Sequence, residues 1–179
     1  ETLNEQQFTD VLPEHPFFRA VNFIASEGIV NGYEDGSFLP DAEINRAEFT
    51  KILVKARFAD TLQDFEFSES CFPDIAHDAW FAKFVCFAQE NNIVSGYPDG
   101  LFRPEQSVNL AEAIVILLKS FDISVEENVD VEWFVPFLDR ARELEFLSDD
   151  FGVAGDFVSR GVMGELVMRV IEYERDLIN

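Results

Sequence analysis

Arg46 and Arg160 stand where a cation is out of place. Arg46 follows the helix-capping pattern Asn45-Arg46-Ala47-Glu48, and Val158-Ser159-Arg160-Gly161 aligns with Ile44-Asn45-Arg46-Ala47. Both arginines therefore fall in the first turn of a predicted helix, where a positive charge opposes the macrodipole at a cost of a few tenths to about 1 kcal/mol. Two arrangements offset that cost. The guanidinium can pair with a neighbouring carboxylate, and a chain with 35 acidic against 13 basic residues offers many. Alternatively, the guanidinium fork and the free helix N–H groups together receive a carboxylate from outside the chain. The sequence leaves both open.

The remaining polar groups point away from catalysis. Glu48 and Glu112 each stand three residues after an asparagine, Asn45 or Asn109, and capping accounts for them. Asp35 and Asp99 precede glycines and read as turn formers, since such side chains bond their own turn backbone. Asp35, Asp41 and Glu43 could instead approach a Ca²⁺, but their spacing is not that of a calcium loop. Tyr33, Tyr97, Trp80 and Trp133 are core aromatics by default. His15 and His77 are the only histidines, in loop or cap positions, and no nucleophile elbow, zinc signature or phosphate loop occurs. No enzyme is predicted, and no cofactor beyond that Ca²⁺ alternative.

The net charge of −22 excludes nucleic acid as a partner, because phosphate contacts need clustered Lys and Arg. It also disfavours docking on anionic lipid, while suiting the surface of an exported protein. No apolar run approaches the roughly 20 residues of a membrane span, so no direct membrane insertion is expected. The chain opens on Glu1 without a visible signal peptide, which reads as a processed or trimmed piece.

An internal duplication positions these residues. Gly32-Tyr33-Glu34-Asp35-Gly36-Ser37-Phe38-Leu39-Pro40 recurs as Gly96-Tyr97-Pro98-Asp99-Gly100-Leu101-Phe102-Arg103-Pro104, at a constant offset of 64 that also relates Asn45 to Asn109 and Glu48 to Glu112. Each copy reads as a helix, a tight turn and a second helix. In the first copy, Pro16 suits the first helical position, Gly28 the residue past the end, and Gly36 a turn needing positive φ. Phe49, Ile52, Leu53 and Ala56 give the second helix its apolar face. In the second copy, Asp78 is the expected N-cap of a helix beginning near Trp80. Residues 1–7 read as a polar lead-in, and 59–70 and 122–130 as acidic linkers. The predicted units are 1–58, 71–121 and 130–175. The third is degenerate: Glu132-Trp133-Phe134 matches Ala79-Trp80-Phe81, but the glycine-rich turn has shrunk to Ser148-Asp149-Asp150-Phe151-Gly152, and Val162 replaces the capping Glu.

These motifs resemble the S-layer homology repeat, whose pattern runs Phe-x-Asp-Val, a Trp in the first helix, Gly-Tyr-x-Asp-Gly-x-Phe-x-Pro, and Ile-Thr-Arg-Ala-Glu at the second helix. The resemblance implies a mostly α fold in which three tandem repeats form one pseudo-threefold helical spindle. It further implies a noncatalytic module, outside the cell, that anchors proteins to the envelope by binding a pyruvylated secondary cell-wall polysaccharide. On that reading Arg46 and Arg160 receive the pyruvyl carboxylates, while Tyr33, Asp35, Tyr97, Asp99, Asn109, Trp80 and Trp133 shape grooves, with aromatic rings stacking on sugars. Pro16 and Leu110 stand where the pattern has Trp and Arg, and Leu110→Arg would be expected to restore a cation to the second groove. The alternative is a surface-layer self-assembly module, binding other surface-layer proteins through bridging Ca²⁺. Within this architecture Cys71 lies near the helix carrying Cys86, so a disulfide is expected in an oxidising envelope. The offset maps these two onto Gln7 and Asn22, so neither cysteine position is demanded by the repeat itself.

Overall fold

A computed structural model describes residues 6–126 and 128–178; the lead-in, apart from Gln6 and Gln7, lies outside the described residues. The chain is mostly α. Its helices are α1 (Phe18–Ser26), α2 (Arg46–Gln63), α3 (Ala82–Glu90), α4 (Leu110–Ser120), α5 (Val135–Glu143) and α6 (Arg160–Ile178), with a short 3-10 turn at Asp149–Phe151.

Capping sets the starts of α2 and α4, as predicted. Asn45 Oδ1 accepts from the Glu48 N–H at 2.8 Å, and the Glu48 carboxylate accepts from the Asn45 N–H at 3.4 Å. Asn109 and Glu112 repeat the pair at 2.9 and 3.2 Å. In α6 only half remains: the Ser159 hydroxyl accepts from the Val162 N–H at 3.2 Å, and Val162 has nothing to return. Gly28 and Gly36 hold positive φ of 70° and 80°, as their places require.

The first helices start later than their periodicity predicts. α1 begins at Phe18 rather than Pro16, and α3 at Ala82 rather than behind Asp78. The residues before them form turns, closed by Phe18 N–H to His15 O and Ala82 N–H to Ala79 O, both 2.9 Å. Such a turn buries Phe81 while leaving Trp80 outside. The acidic linker expected from residue 59 is also corrected. α2 runs on to Gln63 through a kink at Phe58, and Phe65 then sets its ring edge-on to Phe87 at 5.2 Å. Burial of these rings outweighs the acidic composition around them.

The three second-helix starts meet at one axis. Ile44 N–H donates to Val158 O, Val108 N–H to Ile44 O and Val158 N–H to Val108 O, at 3.0, 3.0 and 2.9 Å. One layer out, the Arg46, Leu110 and Arg160 N–H groups donate to Gln106, Asp156 and Ala42 carbonyls at 3.0, 2.9 and 2.8 Å. Around this ring α3 packs on α2, α5 on α4, and α1 returns to α6. Each first helix thus leans on the second helix of the unit before it, and Arg19–Glu172 and Arg175–Glu27 ion pairs lie across the closure.

The Phe-x-Asp segments have a use the sequence did not reveal. The Asp10 carboxylate accepts from the Phe38 and Leu39 N–H groups at 2.8 and 2.7 Å, and Asp74 accepts from Phe102 and Arg103 at 2.9 and 2.7 Å. Leu39 and Arg103 hold φ of 58° and 59°, which costs a non-glycine residue about 1–2 kcal/mol. The two charge-assisted bonds from each carboxylate keep the turns in that conformation.

Cys71 and Cys86 form the expected disulfide, with Cα atoms 5.3 Å apart. The equivalent positions of the first copy also touch: the Gln7 N–H donates to Asn22 Oδ1 at 3.3 Å, so the first copy makes by hydrogen bond what the second makes covalently. Asn22 Nδ2 is buried without a partner among the described residues. A Gln7→Cys, Asn22→Cys variant should therefore form a second bridge. Its loop of about 15 residues is worth roughly 3 kcal/mol in the chain-entropy model, a rise in Tm of about 6–12 °C at this size. A thiol assay and a thermal scan check both points, and free thiols would refute the equivalence.

In the third unit Phe151 N–H bonds only to Ser148 O and Asp156 N–H to Val153 O. With half a cap and no Gly-Tyr turn, the segment Ser148 to Phe157 should exchange its amides fastest among the three turns, and uniform protection would contradict this.

Candidate functional site

Arg160 leaves its own unit. Its Nε donates to Phe38 O at 2.8 Å, and its guanidinium lies 4.7 Å from the Phe38 ring centroid and 5.0 Å from that of Tyr33. The side chain thus satisfies a carbonyl of the first turn and faces a groove of about 270 Å³ lined by Tyr33, Glu48, Lys51, Lys55 and Trp80. All three units contribute to this groove 1. Lys51 Nζ sits 4.7 Å from the Trp80 ring centroid, and Lys55 Nζ donates to Gly28 O at 3.1 Å. Burial, and then the Lys51 charge, hold the Lys55 ammonium below its ordinary pKa.

Eight of the nine arginines stand within 4.0 Å of a carboxylate. Among the described residues Arg160 is the exception, although it is only 6% exposed. A buried cation without an ion pair is costly to hold. Here its open side meets a groove with two further ammonium groups, which can accept an anion.

Arg46 makes the equivalent reach into the second turn. Its Nε donates to Phe102 O at 2.9 Å, and it lines groove 2, about 400 Å³, with Tyr97, Glu112, Val115, Lys119 and Trp133. Its charge, however, is met within the chain: Nη1 lies 3.5 Å from Glu112 Oε1. The Tyr97 hydroxyl donates to the same oxygen at 2.5 Å and accepts from Gln106 at 2.9 Å. Burial, reinforced by the Glu112 hydrogen bond, pushes the Tyr97 hydroxyl up to about 12. Of the two arrangements open to a first-turn arginine, pairing within the chain is the one Arg46 takes, and among the described residues Arg160 lacks it.

The third position has no first-turn cation. Leu110, in the arginine's place, is 1% exposed. Arg169 donates to Glu145 O and Phe146 O at 3.1 and 3.4 Å and pairs with Glu165 at 2.8 Å. Because each second helix serves the next unit's turn, Leu110→Arg would address this third face rather than the second groove, correcting the sequence-based expectation.

Trp80 and Trp133 are 54% and 58% exposed and Tyr33 44%, so the core reading fails for all three. Each Trp stands edge-on to its following Phe, Phe81 or Phe134, at 5.1 and 5.5 Å, with that Phe turned inward. Tyr97 is half-buried, with Arg46 and Arg103 at 4.7 and 4.3 Å from its ring centroid. Asp35 and Asp99 are turn formers, accepting from the Ser37 and Leu101 N–H groups at 3.0 and 3.1 Å, and they line neither groove. The Ser37 hydroxyl and Arg103 respectively hold these carboxylates below their ordinary pKa. Asn109 is committed to its cap. Sequence reasoning missed Lys51 and Lys55; their signal was their place about one and two turns beyond Glu48, on the same face of α2.

Among the described residues no three His, Cys, Asp or Glu side chains gather as a metal-binding group, and no helix is long and apolar enough to cross a membrane.

The S-layer homology domain model matches residues 7–50 and 72–114. The chain is 31% identical over 126 residues to the "Middle cell wall protein" of Brevibacillus brevis, spanning 70% of this chain and 12% of that protein. It is 31% identical over 126 residues to the "Surface layer protein" of Brevibacillus choshinensis, spanning 70% of this chain and 11% of the relative. Against the "Cellulosome-anchoring protein" of Acetivibrio thermocellus it is 30% identical over 118 residues, 64% of this chain and 26% of the relative. The chain thus corresponds to a small part of each of these proteins. The family and these relatives place it at the cell surface. Through its two matched copies, the chain belongs to the S-layer homology family.

Proposed function

We propose that the chain is a noncatalytic anchoring module that holds an attached protein to the cell envelope by binding an anionic secondary cell-wall polysaccharide, with groove 1 receiving the acidic substituent. One observation carries this reading: Arg160 is buried, has no carboxylate within 4.0 Å among the described residues, and faces a groove shared with Lys51 and Lys55. In a chain of net charge −22 such a concentration of unpaired cations focuses an attractive field at one place. A pyruvyl ketal supplies the matching carboxylate, and the exposed Trp80 ring offers a face for the sugar bearing it. Relatives named as cell-wall, surface-layer and cellulosome-anchoring proteins support the same role. Cosedimentation with purified wall polysaccharide, before and after mild acid removes the ketals, tests it. The chain should pellet with the intact polymer and remain in solution with the stripped one. Equal pelleting with both would remove the acidic group from the account.

The alternative, a self-assembly module of a surface layer, is favoured only by the third face, where Leu110 replaces the arginine and Arg169 is paired with Glu165. Size-exclusion with and without Ca²⁺ distinguishes it.

A further inference from the structure

The two open grooves are built on one plan, yet their charges are arranged differently. In groove 2, Glu112 is 3.5 Å from Arg46 and is held by the Tyr97 hydroxyl at 2.5 Å. In groove 1 the equivalent Glu48 caps its helix through Oε2 just as Glu112 does, but among the described residues no carboxylate lies within 4.0 Å of Arg160. The offset of 64 places Val115 where Lys51 stands. Lys51 covers Trp80 from 4.7 Å, whereas Val115 and Ile116 give the Trp133 groove an apolar wall. Lys119, the counterpart of half-buried Lys55, is exposed at the rim and more fully screened.

From these differences we infer that the grooves have diverged in ligand class: groove 1 takes an acid-bearing sugar unit, and groove 2 a neutral one. The inference rests on the anchoring reading above. A carboxylate entering groove 2 would meet a guanidinium already neutralised and would stand beside the Glu112 carboxylate, where like charges repel. A neutral pyranose has no such opponent. Its C–H face can stack on Trp133 and rest against Val115 and Ile116, and its hydroxyls find polar partners at the groove edge. One module would then read two different units of the polysaccharide, and the linked contacts would reinforce each other through effective concentration.

Each groove contains one of the chain's two tryptophans, so each indole N–H reports one groove. The experiment follows both signals by ¹⁵N–¹H NMR, assigned with Trp80→Phe. The probes are oligosaccharide fragments of the wall polysaccharide, acid-bearing or stripped of their ketals by mild acid. Stripping should weaken binding at the Trp80 signal by tenfold or more and change it less than about threefold at Trp133. Glu112→Gln keeps the helix cap, since Gln serves in a capping box, but frees the Arg46 charge. This variant should give the Trp133 signal at least a tenfold preference for the acid-bearing fragments. Equal preference for the charged probe at both signals, or a Trp133 signal unmoved by either probe, overturns the inference. A Trp80 signal indifferent to the acidic group overturns the anchoring reading instead.

Discussion

A Cys71→Ser, Cys86→Ser variant is expected to lose about 3 kcal/mol of stability, lowering Tm by roughly 6–12 °C. The bridge closes a loop of 15 residues, and opening it returns that loop's freedom to the unfolded chain. Its native-state role adds to the effect. Cys71 precedes Phe72 and Asp74, and Asp74 holds the Phe102–Arg103 turn by two backbone bonds. Phe102 is fully buried and its carbonyl receives Arg46, so loosening the bridge should loosen groove 2 before groove 1. Calorimetric scans of the variant and parent check the magnitude. An unchanged midpoint would mean that the Phe65 and Phe87 rings, not the bond, hold this segment in place.

The second large effect is on binding. Arg160→Gln should weaken affinity for acid-bearing wall polysaccharide by about 1.5–3 kcal/mol, the worth of a hydrogen bond to a charged group, or roughly 10–150-fold. Glutamine is chosen because it leaves a donor in the buried space near Phe38 O. Arg46→Gln, which removes a cation already paired with Glu112, should cost far less of the affinity for the acid-bearing polymer. Titration calorimetry on folded variants separates them. Parental affinity in Arg160→Gln would remove Arg160 from the site.

The repeated motifs made much of the fold legible. Asn45, Glu48, Asn109 and Glu112 are local signals, and a capping box needs only residues three apart, so the starts of α2 and α4 could be read directly. The starts of α1 and α3 could not, because Phe17 and Phe81 carry no capping side chain and tertiary burial decides where the turn ends. Trp80 and Trp133 were misread as core because hydrophobicity does not record which of two adjacent aromatics, Trp80 or Phe81, turns inward. Asp10 and Asp74 act across 28 and 29 residues of chain, beyond any local pattern. Most of all, the handing of Arg46 and Arg160 to a neighbouring unit's turn follows from closure of the ring by α1 on α6. Arg46 and Arg160 look alike in sequence; only the fold shows that Glu112 meets one and that no carboxylate among the described residues meets the other.

The most direct measurement is a crystal structure of the chain with an acid-bearing disaccharide of the wall polysaccharide. The account predicts the ligand carboxylate within about 3 Å of the Arg160 guanidinium, the usual length of a charge-assisted bond, with the sugar ring against Trp80. A carboxylate left in solvent, or one bound instead in groove 2 against Arg46, would contradict it.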